Sequence, residues 1–383
     1  MIIGIDAVNI RQGGGITHLR ELLNHADPLK DKFKKIILWS SADTLDQIED
    51  KSWLKKKDIH AKNFMRRLFW QLFFLTKEAK LEKCNVLFIP GGSFTTKFRP
   101  VVTMNHNLLP FQFREIMRYG LSIKCLKFFL LFFIQRRSFN NSDGIIFLTK
   151  NAKNIVSKFL SRKKREMKVI NHGIEERFFY SSEYRERLKK NKSDNTLKII
   201  IVSAVEPYKH HFNLIRAVSE LKKEDYSIEL DIFGTGHKPS IKLLKKNIKF
   251  FDPYEEFISY KGNINYSEIE KIYKEGEIML FSSSCETFGQ TLTEAMAGSL
   301  VVASSKLEPM PELLKDSGVY FDPFDYKDVK LKVKGLLDSP ELRRKLSFAS
   351  YNRALEFSWY DCASETFKFL RSFKNIEKNN VRK

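Results

Sequence analysis

The chain has 383 residues, 43% of them apolar, and a formal net charge of +21. That length exceeds one ordinary core and that apolar share excludes wholesale disorder, so two packed domains of similar size are expected. The four cysteines, Cys84, Cys125, Cys285 and Cys362, form no CxxC pair and no metal spacing, which argues against a disulfide scaffold and fits a reducing compartment.

In chain order, "MIIGIDAVNI" begins as a strand with no charged region and apolar run of a leader, so no signal peptide is expected. "FKKIILWS", "NVLFIP", "PVVTMNH" and "DGIIFLT" follow as short apolar strands. Among them lie two aromatic, cationic stretches, "FMRRLFWQLFFL" and "YGLSIKCLKFFLLFFIQRRSF". The uninterrupted apolar run Phe128–Ile134 is far short of the roughly 20 residues that span a bilayer. Lys124, Lys127, Arg136 and Arg137 flank it, a pattern suited to a helix lying in an anionic headgroup region. Buried helices with outward-snorkelling cations are the alternative.

Charge supports the surface reading. Residues 1–172 hold 32 lysines and arginines against 14 acids, a balance of +18, whereas the remainder holds 35 against 32, or +3. Nearly all the excess cation lies in the first half, which is therefore expected to meet something anionic.

The second half reads as strands "LKIIIVSAV", "SIELDIFG", "FISYKGN", "IMLFSSS" and "LVVASS", separated by helical patterns such as "FNLIRAVSELKKE" and "YSEIEKIYKEG". Such βα alternation predicts an α/β fold with a doubly wound, mostly parallel sheet in each half. The polar stretch after "VINHG" marks a break. The boundaries expected are 1–172 for a basic first domain, 173–197 for a connector, 198–356 for a second domain and 357–383 for a closing helix.

The chemistry concentrates in "SSSCETFGQTLTEAMAGS", Ser282 to Ser299. "IMLFSSS" is a strand, "CETFG" the turn at its carboxyl end and "QTLTEAMAG" a helix stopped by Gly298. Ligands of doubly wound sheets sit at such carboxyl ends. Gly289 is expected to let a phosphate approach the first amides of the helix, where the dipole favours an anion. Glu286 in the turn and Glu294 on the helix suit vicinal hydroxyls. The constellation reads as a nucleotide-sugar site. The glycines of "IFGTG" have no third partner for a dinucleotide loop, and His210–His211 on one helix do not face one ligand.

At these residues the chain resembles the retaining glycosyltransferases of family 4, whose E-x7-E signature is matched by "ETFGQTLTEAMAGSLVVAS". "VSAVEPYKHHFNLIRAV", "IFGTG", "PELLKDSGVYFDP" and "FSWYDCASETFKFL" fall in the family's order, and the likeness covers residues 198–370. It is thinner in the first half, at "RQGGGITHLRELL", "MNHNLLPF" and "VINHGIEERFF". The resemblance implies a GT-B architecture: two Rossmann-like doubly wound domains facing across a cleft, with a C-terminal helix crossing back to the first. It also implies roles. Glu294 would bind the ribose, and Glu286 would contact the transferred sugar. Thr287, Phe288, Gly289 and Gln290, with Gly234, would hold sugar and phosphates. Lys209 would neutralise the departing diphosphate, His106 would orient the reacting groups, and Gly13, Gly14 and Gly15 would close on the donor. The family often has an arginine five residues before the lysine, and here that position is Ala204.

The activity so implied is metal-independent, cofactor-free retaining transfer of a hexosyl or N-acetylhexosaminyl group from a nucleoside-diphosphate sugar. The acceptor would be lipid-linked or a polysaccharide, in bacterial-type surface glycan synthesis such as lipopolysaccharide, O-antigen or capsule. The protein would be cytoplasmic, peripheral on the inner face of the cell membrane, with no nucleic-acid partner. The rival readings are a GT-B-like nucleotide-sugar epimerase and a non-catalytic protein that binds anionic surfaces or nucleic acid.

Overall fold

A computed structural model describes residues 1–11, 13–60, 63–162, 165–181, 183 and 196–374. Most of the second half of the expected connector and residues 375–383 of the closing segment lie outside them. The chain forms two units. One combines Met1–Phe113, Leu121–Gly173 and the segment from Ser358 onward; the other combines Arg114–Gly120 with Ile174–Phe357. Residues 114–120 thus group with the second unit, although they lie within the stretch assigned from sequence to the first.

The first unit is built on seven parallel strands: β1 (Ile2–Asp6), β2 (Lys35–Ser40), β3 (Leu54–Asp58), β4 (Val86–Ile89), β5 (Val101–Asn105), β6 (Gly144–Phe147) and β7 (Glu166–Val169). Their order across the sheet is β3-β2-β1-β4-β5-β6-β7. The central strands β4, β5 and β6 are buried along their whole length, as a parallel sheet covered on both faces requires, so alternation has nothing to mark. The edge strands β3, "LKKKD", and β7, "EMKV", are polar because one side of each lacks a partner strand.

Helix Ile123–Asn140 is capped by Ser122, whose side chain accepts from the Cys125 N–H at 3.2 Å. Cys125, Phe132, Gln135, Ser138 and Phe139 face the core, while Ile123, Leu126, Leu130 and Phe133 are exposed. The steps of three and four residues between the exposed positions place them on one stripe. The other aromatic stretch forms helix Phe64–Phe69, a wider π-helical turn Trp70–Phe74 and helix Leu75–Leu81. Trp70 is buried there, and Phe69, Phe73 and Phe74 are exposed. Among the described residues no helix is long and apolar enough to cross a membrane.

The second unit carries six parallel strands: β8 (Leu197–Val202), β9 (Ile228–Phe233), β10 (Ile258–Gly262), β11 (Ile278–Phe281), β12 (Val301–Ser305) and β13 (Val319–Phe321), ordered β10-β9-β8-β11-β12-β13. Ile199, Ile201, Leu230, Ile232, Ile278 and Leu280 pack with Leu214, Val218 and Leu221 of the helix His211–Lys222. Truncating any one of these leucines or isoleucines to alanine costs about 2–5 kcal/mol, so this slab fixes the strand ends that carry the site.

Candidate active site

In the second sheet β8 and β11 are neighbours, but the chain leaves β8 toward β9 and leaves β11 toward β12 on the opposite side. That reversal opens a place at the carboxyl ends of the two strands that no crossover fills. The loop after β8 is a short turn, Pro207–Lys209, ending at His210 in the left-handed region (φ 48°) before helix His211–Lys222. The loop after β11 runs from Ser282 to Gly289 before helix Gln290–Ala297.

The two loops are tied together. Ser284 N–H donates to the Tyr208 carbonyl at 2.9 Å, Ser284 Oγ lies 2.8 Å from His210 Nε2, and Ser282 Oγ donates to the Lys209 carbonyl. Burial, with the Arg118 charge second, pushes the His210 imidazole down to about 4, so the ring is neutral in this contact at physiological pH. Lys209 and Glu286 form an ion pair with side chains only 10% and 16% exposed. The ammonium also lies 4.8 Å from the Phe281 ring centroid. A cation anchored by a carboxylate and an aromatic face is held in place before any ligand arrives.

Gly289 caps helix Gln290–Ala297 with φ 95°, and its carbonyl accepts from Leu292 and Thr293 N–H at 3.0 and 3.2 Å. A Cβ at Gly289 would meet nothing nearer than 3.7 Å, so backbone conformation rather than crowding requires the glycine. Phe288 is buried edge-on against Phe357, with centroids 5.8 Å apart; Thr287 and Gln290 are half-buried. At the end of β9, Gly234 has φ 134°, and a Cβ there would fall 1.9 Å from the Ser203 carbonyl oxygen.

Glu294 is 1% exposed. Its carboxylate accepts from Tyr273 Oη at 3.0 Å and from Tyr266 Oη at 3.1 Å. Tyr266 also bonds Glu175 at 2.7 Å. Burial pushes the Glu294 carboxyl up to about 7, against the opposing pull of the two tyrosine hydroxyls.

The segment Arg114–Gly120 touches these loops, which sequence reasoning missed. Glu115 accepts from Ser284 Oγ at 2.8 Å and from Arg118 Nε at 2.6 Å. Tyr119 Oη donates to Glu206 at 2.8 Å. No local pattern signals these contacts, because the partners lie 87 to 169 residues apart.

The remaining candidates lie in the first unit. Gly13 (φ 68°) caps helix Gly14–Asn24; a Cβ at Gly13 or Gly14 meets nothing within 4 Å, and one at Gly15 approaches Ile10 at 3.4 Å. His106 follows β5 and packs among His18, His172 and, beside them, Trp359. Burial depresses its imidazole to about 4, so the ring is neutral at physiological pH. The candidates therefore divide: Gly13–Gly15 and His106 in one unit; Lys209, Gly234, Glu286 to Gln290 and Glu294 in the other.

Residues 182–353 match the family "Glycosyl transferases group 1". Over 112 residues, 29% of each protein, the chain is 26% identical to the O-antigen chain mannosyltransferase B of Escherichia coli. It spans under two thirds of the length of the curated relatives it matches, 57% and 21% in two further cases. Among solved structures, sucrose-phosphate synthase of Thermosynechococcus elongatus superposes with a TM-score of 0.77 at 14% identity, over 97% of this chain and 98% of that one. Anabaena HepE in complex with UDP and glucose gives 0.70 at 16% identity, over 97% and 100%. The fold is therefore GT-B, and residues 182–353 match the group 1 glycosyl transferases.

Proposed function

We propose that the protein transfers a sugar, with retention of configuration, from a nucleoside-diphosphate sugar to a lipid-linked or polysaccharide acceptor of a surface glycan. The observation that carries the reading is the Lys209–Glu286 pair set beside the glycine-capped start of helix Gln290–Ala297 at the switch point of the second sheet. Leaving-group departure builds negative charge on the diphosphate. Donors already in place stabilise it best, and Lys209 with the helix-start amides supplies them without calling on a metal. Glu286 receives hydroxyls of the transferred sugar. Glu294 takes the ribose hydroxyls in place of the Tyr266 hydroxyl that now donates to it. His106, held neutral, is suited to accept or donate a hydrogen bond at the reacting centre. The leaving phosphate serves as base for the acceptor. The UDP and glucose bound by HepE support the donor class.

The exposed stripe Ile123, Leu126, Leu130 and Phe133, with the excess cation of residues 1–172, supports a peripheral position on the cytoplasmic face of an anionic membrane, where a lipid-linked acceptor would be met. The test is a panel of nucleoside-diphosphate sugars assayed for release of the nucleoside diphosphate with and without acceptor lipids. One donor is expected to be turned over slowly alone and faster with acceptor. Failure of every donor in a broad panel would leave the non-catalytic binding reading standing.

A further inference from the structure

Three histidines far apart in sequence meet at the carboxyl side of the first sheet. His18 lies on helix Gly14–Asn24, His106 directly follows β5, and His172 follows β7. Their ring centroids are 5.0 Å (His18–His106), 4.9 Å (His18–His172) and 5.4 Å (His106–His172) apart. One nitrogen from each ring lies within 4.8 Å of the others. Three imidazoles bound to one tetrahedral ion at about 2.0–2.1 Å place their centroids roughly 5.2 Å apart. The centroid spacing brackets that value, and binding an ion would draw the ligating nitrogens in from within 4.8 Å to about 3.4 Å of one another.

A further observation points to a ligand. His18 is 0% exposed, yet neither of its ring nitrogens has a hydrogen-bond partner among the described residues. Buried polar atoms are rarely left so, because water once satisfied them. The wall behind the cluster is Trp359, its centroid 5.2 Å from His172 and 6.1 Å from His18. Its indole N–H can only donate, so it cannot serve as a ligand. A Cβ at Gly173 would lie 2.1 Å from Trp359 N, so the backbone next to His172 is pressed against the start of the closing helix.

We propose that His18, His106 and His172 form a binding site for a divalent transition ion of the Zn²⁺ class, with water as fourth ligand. Three imidazole nitrogens favour Zn²⁺, Co²⁺ or Ni²⁺ over the oxygen-seeking Mg²⁺ and Ca²⁺. Because His106 is one of the ligands, bound ion withholds it from the transfer reaction; this consequence alone rests on the function proposed above.

The test uses the tag-free, full-length chain stripped of metal, titrated with Zn²⁺ by calorimetry and with Co²⁺ by visible absorption. One equivalent is expected to bind, with the intense d–d absorption of a tetrahedral Co²⁺ site. His18→Asn and His172→Asn are each expected to weaken binding by more than about tenfold, at least the effect of losing an outer-shell partner. His25→Asn and His60→Asn are expected to leave it unchanged. X-ray absorption on the Zn²⁺-loaded wild-type chain needs no variant and is expected to show imidazole scattering at about 2.0–2.1 Å. No stoichiometric uptake, uptake indifferent to both His18 and His172, or a spectrum without imidazole scattering overturns the site. Uptake with these signatures but without inhibition of transfer upholds it and counts against the role of His106 instead.

Discussion

Lys209 and Glu286, 77 residues apart in sequence, meet as an ion pair between the loops that leave the adjacent strands β8 and β11. Neither side chain is well solvated, so each is costly without the other. The pair fixes a cation at the switch point, and a cation fixed in advance spends nothing on reorganisation when charge develops on a leaving group.

Removing either partner therefore has two separable effects. Lys209→Met and Glu286→Gln are each expected to lower kcat by about 10²–10³. In urea denaturation the double variant is expected to be more stable than the sum of the singles predicts, by roughly 1–3 kcal/mol, because neither remaining group is left charged and alone. Additive losses would show that the two groups do not stabilise one another.

Glu294 makes stability depend on pH. Its folded value of about 7 lies above the ordinary 4.5, so the folded chain holds a proton that the unfolded chain releases. That contribution is complete below pH 4.5 and is lost as pH rises through 7. Glu294→Gln keeps a neutral acceptor for the Tyr273 hydroxyl and has no proton to lose. Relative to wild type, its stability is expected to rise between pH 5 and 8 by about 3 kcal/mol and then level off. Asp6, raised to about 6 by burial, slopes in the same sense but is present in both proteins and cancels. Denaturant midpoints at four pH values decide the matter; a difference flat with pH contradicts it. The same variant is expected to weaken nucleotide binding, read by calorimetry.

Two glycines of the site separate conformation from crowding. Gly289→Ala meets no atom closer than 3.7 Å and is strained only by φ 95°, so about 1–2 kcal/mol of stability is expected to go. Gly234→Ala carries φ 134° and also drives its Cβ to 1.9 Å from the Ser203 carbonyl oxygen, which must move with the end of β8. Its loss is expected to exceed that of Gly289→Ala by at least about 2 kcal/mol, with reduced donor binding. Equal losses in thermal and chemical denaturation would contradict this account of the β8 and β9 ends.

The apolar central strands stand out as runs such as "KIILWS" and "IMLF" because helices bury both their faces. β3, β7 and β13 do not, since each is a short strand at a sheet edge where charged or mixed residues are tolerated. The strand, turn and helix around Glu286 and Glu294 are contiguous, so their chemistry is legible locally. Tyr266 and Tyr273 closing on Glu294, Glu115 closing on Ser284, and the meeting of His18, His106 and His172 are products of tertiary packing. No spacing rule joins residues that only the folded sheet brings together.

The exposed stripe of helix Ile123–Asn140 yields the last expectation. Ile123, Leu126, Leu130 and Phe133 are exposed, whereas Phe132, Gln135 and Phe139 hold the opposite face in the core. Substituting the stripe therefore costs the fold little. Leu126→Ser, Leu130→Ser and Phe133→Ser together are expected to leave the melting temperature within about 2 °C of wild type, as surface changes usually do. The triple variant is expected to weaken binding to vesicles containing anionic lipid by roughly 10²-fold, since each side chain loses partial burial worth about 1 kcal/mol. Lys127→Gln with Arg136→Gln is expected to weaken binding through charge, by about fivefold per residue at low salt, and the difference vanishes as salt rises. Co-sedimentation with phosphatidylglycerol-containing and neutral vesicles separates the two contributions. Wild-type affinity equal for both vesicle types, or higher for DNA at the same salt, would take the membrane surface away and return the +18 of residues 1–172 to a nucleic-acid partner.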